Sequence, residues 1–338
     1  MKFGVIGSGS WGTALVKILT DNGNEVIWCV RSQKMAEHIR LRHHNPKYLS
    51  SVYFNSQSLT VTTDTSLVFT NSDAVVLAMP SGFAASYLDP NKHLLSDKII
   101  VSAVKGILPQ HKMLINEYLK EHSTFNENQY VTLMGPCHAE EVAAEKLSYL
   151  TFSSFDISLA EKIADCFKTS FINTIVNEDV YGVQYASVLK NIYALGSGIL
   201  NGLNYGDNFQ SVFVANAAHE MKTFLEACAV TKKSAIHAVC NGKNNYAASV
   251  YLGDLLVTCY SAFSRNRAFG NMIGKGYSVE ATRLEMQMVA EGYPASKSIY
   301  ELNKEMLAPM PIAHAIYKIL WENLEPSLAF KEIESVLI

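Results

Sequence analysis

Two places in the second half of this chain carry side chains that could grip an anion and move a proton. The first is Ser264-Arg265-Asn266-Arg267, inside the otherwise apolar stretch "GDLLVTCYSAFSRNRAFGNMIGKG" (253–276). Only 17% of the chain is Asp, Glu, Lys or Arg, so arginines here call for partners. A guanidinium meets phosphate or carboxylate with a bidentate fit that lysine lacks. Read as one helix, the stretch puts Asp254, Thr258, Ser261 and Arg265 on one face, with Asp254 and Arg265 about three turns apart. A phosphate would answer Arg265; a solvated stripe with an ordinary ion pair would too. The second place is Lys190 in "DVYGVQYASVLKNIYALGSGIL" (179–200). Its helical neighbours Ala186, Ser187, Tyr193, Ala194 and Ser197 are mostly small and include no acid. Such a lysine either snorkels out of a buried helix or stands in a cleft where desolvation suits proton transfer.

Something must bring a reactant to these groups, and the chain's first residues supply a candidate. "KFGVIG" reads as a strand that opens into Gly7-Ser8-Gly9-Ser10-Trp11-Gly12; "TALVKILTDNG" has helical periodicity, and "EVIWCVR" reads as a second strand. Strand, glycine turn, helix and strand is the context of a dinucleotide site. Gly7 suits the tight turn, Gly9 leaves room for pyrophosphate, and Gly12 lets helix and strand pack closely. At the end of the second strand stands Arg31, followed by Ser32 and Gln33, where an NAD site usually has an acid. Glu25 comes too early in the strand for that role. Arg31 would welcome a 2'-phosphate, so NADPH is expected ahead of NADH. Later strands are expected in "DAVVLAMPSG" (73–82), "DKIIVSAVKG" (97–106), "QYVTLMGPCHAEE" (129–141), "SYLTFSSF" and "FINTIVNED". Lys105 and the Gly135 loop follow two of them, where a doubly wound sheet binds ligands.

Helical patterns then take over from Asp179, in 209–229, 253–276, 278–289 and 311–322, with loops expected at Asn241–Asn245 and Glu291–Pro294. The pattern predicts an α/β Rossmann-type domain over residues 1–178 and an all-helical domain over 179–338. A net charge of -3 speaks against wholesale nucleic-acid binding. The opening residues carry no leader pattern and no apolar run reaches membrane length, so a cytoplasmic chain is expected. The six cysteines form no CxxC pair and are expected as free thiols; with the ten histidines they show no metal signature, since His219-Glu220 is not part of HExxH.

The motifs "GSGSWGTALVKIL", "AVKGI", "GPCHAEEV", "LKNIYALGSGI" and the 253–276 stretch together resemble bacterial NAD(P)-dependent glycerol-3-phosphate dehydrogenase over essentially the whole chain. The resemblance implies a 6-phosphogluconate-dehydrogenase-like architecture, a homodimer, and reversible reduction of dihydroxyacetone phosphate to sn-glycerol 3-phosphate for glycerophospholipid synthesis. It implies Lys190 as catalytic acid/base with Asp254 beside it. It implies substrate contacts at Lys105, Gly135, Cys137, Ser264, Arg265 and Asn266. Cofactor contacts are implied at the glycine loop, Ser10, Trp11, Arg31, Lys105, Ala139, Arg265, Val289 and Glu291.

Two departures from the family pattern stand out. Cys137 replaces a serine, and its weaker S–H donor is expected to lower substrate affinity. "NGKNNYAASVYLG" (241–253) is bulkier than the glycine-rich lead expected before Asp254. Two other readings fit the residues less well. A dehydrogenase of the same plan acting on a carboxylated hydroxy acid would set Arg265 on a carboxylate. A nucleotide sensor without catalysis would need neither Lys190 nor Asp254.

Overall fold

The structure, a computed structural model, describes residues 1–231, 239–240, 243–286 and 290–337. The chain divides into two compact units, Met1–Val180 and Tyr181–Ile338. No helix among the described residues is long and apolar enough to cross a membrane.

Unit 1 is built on an eight-stranded sheet. Its strands are β1 (Lys2–Ile6), β2 (Glu25–Cys29), β3 (Leu59–Thr62), β4 (Ala74–Leu77), β5 (Ile99–Ser102), β6 (Tyr130–Met134), β7 (Ser148–Ser154) and β8 (Ile172–Asn177). Their order is β3-β2-β1-β4-β5-β6-β7-β8. All neighbours are parallel except β6 and β7, which run antiparallel. The helices are α1 (Ser10–Asp21), α2 (Gln33–Arg42), α3 (Thr65–Asn71), α4 (Ser81–Leu88), α5 (Ile115–His122), α6 (Ala139–Ala143) and α7 (Ile157–Asp165). The inner strands β1, β4 and β6 are buried on both faces because both are covered. Phe3, Val5, Trp28, Val76 and Val131 point into one core with α1, while Ile6, Ile27, Val75, Leu77 and Ile100 point into another with α3 and α5. The chain leaves β1 toward β2 and β3 and returns to β4 on the other side. This reversal opens a crevice beyond the carboxyl ends of β1 and β4, directly where the glycine run lies.

Unit 2 is helical: α8 (Val180–Gly202), α9 (Asp207–Thr231), α10 (Asp254–Tyr260), α11 (Arg265–Gly274), α12 (Val279–Glu285), α13 (Gly292–Met306), α14 (Pro311–Trp321) and α15 (Pro326–Glu334). A two-residue antiparallel ladder, Val239–Cys240 against Lys243–Asn244, is its one β feature among the described residues. Glycines seat α8 directly on α11. A Cβ on Gly198 would strike the Arg267 carbonyl, and one on Gly270 the Leu195 carbonyl; one on Gly202 would meet the Asn271 carbonyl at 2.5 Å. The helices therefore touch backbone to backbone, which explains Gly198 and Gly202 of "ALGSGILNG" and Gly270 and Gly274 of "GNMIGKG".

Two sequence expectations need correction. The 253–276 stretch is not one helix: α10 ends at Tyr260, Ser261 turns extended with ψ 138, and Ser264 starts α11 as an N-cap. Serine hydroxyls compete for local backbone groups, which favours such a break. Glu291–Pro294 is not a free loop, because α13 begins at Gly292 and takes Pro294 into its first turn. Proline is tolerated there, where its missing N–H would have no helical partner. The bulky lead into Asp254, which already departed from the family pattern in the sequence, forms a π turn, Ser249–Gly253.

One buried carboxylate organises the middle of unit 2. Glu220 on α9 is 3% exposed, and α14 starts at Met310 with no side-chain cap of its own. Glu220 supplies that cap from across the fold: it accepts from the N–H groups of Ile312 at 2.8 Å and Ala313 at 2.9 Å, and from the Tyr193 hydroxyl at 3.1 Å. Burial pushes its carboxyl from 4.5 up to about 7, against the pull of those three donors. The folded chain thus holds this proton more tightly than the unfolded one. The stability contributed is complete below the unfolded value of 4.5 and is lost as pH rises through about 7. Glu220→Gln removes the titration. Between about pH 5 and about pH 8 the variant is expected to lose about 2 kcal/mol less stability than the parent, measured by urea unfolding at both pH values.

Candidate active site

The crevice of unit 1 is shaped by what its glycines touch. Gly7 has φ +127, and a Cβ there would strike the Ala78 carbonyl. A Cβ on Gly12 would strike the Gly7 carbonyl, whereas one on Gly9 meets nothing within 4 Å. Gly7 and Gly12 are therefore closed by backbone, while Gly9 faces open space. Helix α1 starts beside it with no acidic residue in its first turn and no side-chain cap. The positive end of the helix is left for an external anion. These features fit a dinucleotide pyrophosphate.

Other expected residues of unit 1 surround the carboxyl edge of the sheet. Trp11, in the first turn of α1, has a buried indole N–H with no hydrogen-bond partner. The Lys105 ammonium, just past β5, lies 5.5 Å from the centre of that ring. Arg31 is exposed just beyond β2, and Ser32 caps α2 by accepting from the Met35 N–H at 3.3 Å. Helix α2 also has no acid in its first turn. Gly135 follows β6 at φ +133, where a Cβ would meet the Tyr149 carbonyl at 2.5 Å. Cys137 donates its thiol to the same carbonyl at 3.2 Å, and its N–H to Gly135 O at 2.9 Å. That thiol pins the loop onto β7. Ala139 opens α6 and is 7% exposed.

In unit 2, Lys190 and Asp254 meet as a buried ion pair, Nζ against Oδ1, at 4% and 1% side-chain exposure. The π turn delivers Asp254 to the start of α10, and Thr258 Oγ1 accompanies it at 2.5 Å from its carbonyl. Asp254 Oδ2 is buried and has no hydrogen-bond partner among the described residues. Beside the pair, the Cys259 thiol is pushed up to about 12 by burial, with the positive charges of Lys190 and Arg267 opposing the rise. Arg267, which the sequence left without a role, therefore acts electrostatically on the buried Cys259 thiol.

The break between α10 and α11 changes how Arg265 is presented. It does not share a helix face with Asp254; it is exposed at the first position of α11. Ser264 is buried and accepts from the Arg267 N–H at 3.3 Å. Asn266 is buried too: its Nδ2 donates to Asn191 Oδ1 at 2.8 Å and its Oδ1 accepts from the Gly292 N–H at 2.9 Å. Asn191 follows Lys190 directly and was missed by the sequence reading. A second polar side chain beside a lysine in a buried helix was its available signal. Glu291 is half-buried just ahead of α13, and Val289 lies outside the described residues.

Two family models cover this chain: the NAD-dependent glycerol-3-phosphate dehydrogenase N-terminus over residues 2–160 and the C-terminus over residues 179–331. The chain belongs to the NAD-dependent glycerol-3-phosphate dehydrogenase family. Its relatives include glycerol-3-phosphate dehydrogenase [NAD(P)+] of Lysinibacillus sphaericus, 34% identical over 97% of this chain and 94% of that one. The Bacillus cereus enzyme of the same name is 36% identical over 95% of this chain and 92% of its own. Among solved structures, glycerol-3-phosphate dehydrogenase from Coxiella burnetii superposes with a TM-score of 0.89 at 23% identity, covering 98% of both chains. The Plasmodium falciparum glycerol-3-phosphate dehydrogenase gives 0.85 at 23% identity, over 98% of this chain and 94% of that one. These two show that the fold is shared. As a member of this family, the chain is an oxidoreductase that uses NADH or NADPH.

The different surroundings of the family's glycines lead to opposite expectations. Gly12→Ala is expected to cost roughly 2 kcal/mol or more, because backbone must move to admit the methyl group. Gly9→Ala is expected to change stability by less than about 1 kcal/mol and to weaken nucleotide binding instead. Thermal unfolding and nucleotide titration of the two variants check both.

Proposed function

We propose that this chain catalyses reversible reduction of dihydroxyacetone phosphate to sn-glycerol 3-phosphate, with the product used for glycerophospholipid synthesis. The observation that carries the reading is the buried Lys190–Asp254 pair with Asp254 Oδ2 unanswered. A lysine at 4% exposure is no surface residue, and a carboxylate oxygen buried without a donor suits a hydroxyl arriving with the substrate. Residues 1–178 form the Rossmann-type nucleotide-binding domain, and residues 179–338 form the helical substrate and catalytic domain.

The nicotinamide supplies the hydride when bound. Lys190 does the proton work: its Nζ donates to the C2 oxygen in reduction, and the neutral amine takes the hydroxyl proton in oxidation. Its charge also stabilises the negative charge that develops on that oxygen. Asp254 Oδ1 keeps Nζ aimed, and Oδ2 accepts from the substrate hydroxyl on C1. Arg265 takes the phosphate, and the break ahead of α11 strengthens that role. The break creates a helix start with no acid in its first turn, so guanidinium and helix end act on one anion. Ser264 and Asn266 hold that turn in place. Lys105, Gly135 and Cys137 complete the substrate contacts. Since the Cys137 thiol is spent on the Tyr149 carbonyl, its weaker donor strength costs the substrate little. Gly7, Gly9, Ser10, Trp11 and Gly12 hold the pyrophosphate end; Ala139, Arg265, Val289 and Glu291 add cofactor contacts.

The exposed Arg31, with Ser32 at an acid-free helix start, favours the 2'-phosphate of NADPH over NADH. The family resemblance supports a homodimer in the cytoplasm.

The folded chain is expected to oxidise NADPH faster than NADH at equal, subsaturating concentrations when dihydroxyacetone phosphate is added, followed by nicotinamide absorbance. Lys190→Ala is expected to lower kcat by roughly a thousandfold while nucleotide affinity stays within about twofold. No turnover of either nucleotide by the folded parent, or near-parent kcat in Lys190→Ala, contradicts the reading.

A further inference from the structure

The carbonyl groups of the glycine run are all engaged by the protein. Gly7 O accepts from the Trp28 indole N–H at 2.8 Å. Ser8 O accepts from Asn45 Nδ2 at 3.1 Å. Gly9 O accepts from the Thr13 N–H and hydroxyl, each at 2.9 Å. The second hydrogen of Asn45 Nδ2 goes to Thr13 Oγ1 at 2.8 Å, so one carboxamide holds Ser8 directly and Gly9 through the threonine hydroxyl.

Asn45 is built for this duty. It is 0% exposed, and its Oδ1 accepts from the N–H groups of Lys47 at 3.0 Å and Tyr48 at 3.3 Å. Both donors and both acceptor positions of the carboxamide are thereby filled. A trans peptide sets each N–H opposite the carbonyl before it. With the carbonyls of Gly7, Ser8 and Gly9 turned toward Trp28, Asn45 and Thr13, the N–H groups of Ser8, Gly9 and Ser10 turn the other way. None of these, nor the N–H of Trp11, donates to any group among the described residues.

We propose that Asn45 is a positioning residue for the dinucleotide: it fixes the peptide planes of the glycine run so that their N–H groups converge on the pyrophosphate. This rests on the reading of unit 1 as the nucleotide-binding half. Asn45 touches no nucleotide in this scheme. It acts through Ser8, Thr13 and Gly9, and it comes from the loop after α2, outside the glycine fingerprint. Because its target is the pyrophosphate, its loss falls equally on every ligand that carries one. Arg31, by contrast, separates NADPH from NADH.

Asn45→Asp keeps the volume and sets a lone pair against Ser8 O where a donor stood. Isothermal titration is expected to show dissociation constants for NADPH, NADH and ADP-ribose each rising roughly tenfold, with the NADPH to NADH ratio unchanged. KM for the nucleotide rises alike, while kcat and KM for dihydroxyacetone phosphate stay within about twofold at saturating nucleotide. Thr13→Ala breaks only the relay to Gly9 and is expected to cost roughly threefold, with Thr13→Ser restoring parent affinity. If Asn45→Asp fails to fold, the Thr13 pair decides. Parent-like ADP-ribose binding by folded Asn45→Asp, or by Thr13→Ala, overturns the role of Asn45 alone. A parent chain that binds none of the three nucleotides overturns the nucleotide reading, and this proposal with it.

Discussion

Lysine and aspartate are rarely buried together, because each charge loses its water and regains only what its partner returns. In this chain Lys190 and Asp254 are both nearly inaccessible, and one carboxylate oxygen is left over. Much of unit 2 serves that pair. The long helix α8 carries the lysine through an apolar environment, and the π turn before α10 brings the aspartate to it. Glycine contacts let α11 lie directly on α8, so Asn266 bonds to Asn191 next to the lysine. Glu220 ties α8, α9 and α14 together one helical turn from Lys190, through Tyr193.

Unit 1 handles charge differently. Its proposed anion site uses backbone N–H groups and a helix start, which cannot titrate and need no countercharge. Such a site depends on peptide orientation, and orientation here is held by side chains behind the loop: Trp28, Asn45 and Thr13. The same economy explains the Gly135 loop, where the Cys137 thiol fixes backbone position. The two units thus divide the labour. In the proposed mechanism, backbone donors take a permanently charged phosphate, and a buried side-chain pair takes the atom whose charge changes.

The parts legible in the sequence were those governed by local rules. Gly7, Gly9 and Gly12 each showed the environment that the fingerprint assigns, because strand, turn and helix are contiguous. Lys190 was legible because its helical neighbours offered no acid. The shared face of Asp254 and Arg265 was not real, because periodicity carried the eye across Ser261 and Ser264, whose hydroxyls favour leaving and restarting a helix. Pro294 was read as a loop marker although proline also marks a helix's first turn. The bonding roles of Asn45, Asn191 and Glu220 were out of reach for another reason, even though Asn191 had a signal of its own beside the lysine. Their partners lie 37, 75 and 92 residues away, so only the folded chain brings them together.

In the proposed mechanism the spare oxygen of Asp254 takes a substrate hydroxyl beside Lys190. Hydroxyacetone phosphate keeps the ketone and the phosphate of dihydroxyacetone phosphate and lacks only that hydroxyl. Comparing kcat/KM for the two ketones in the parent and in Asp254→Ala tests the claim directly. The parent should prefer dihydroxyacetone phosphate by roughly a hundredfold or more, and the preference should collapse toward unity in the variant. Equal use of both ketones by the parent, or a preference that survives the loss of Asp254, would contradict it.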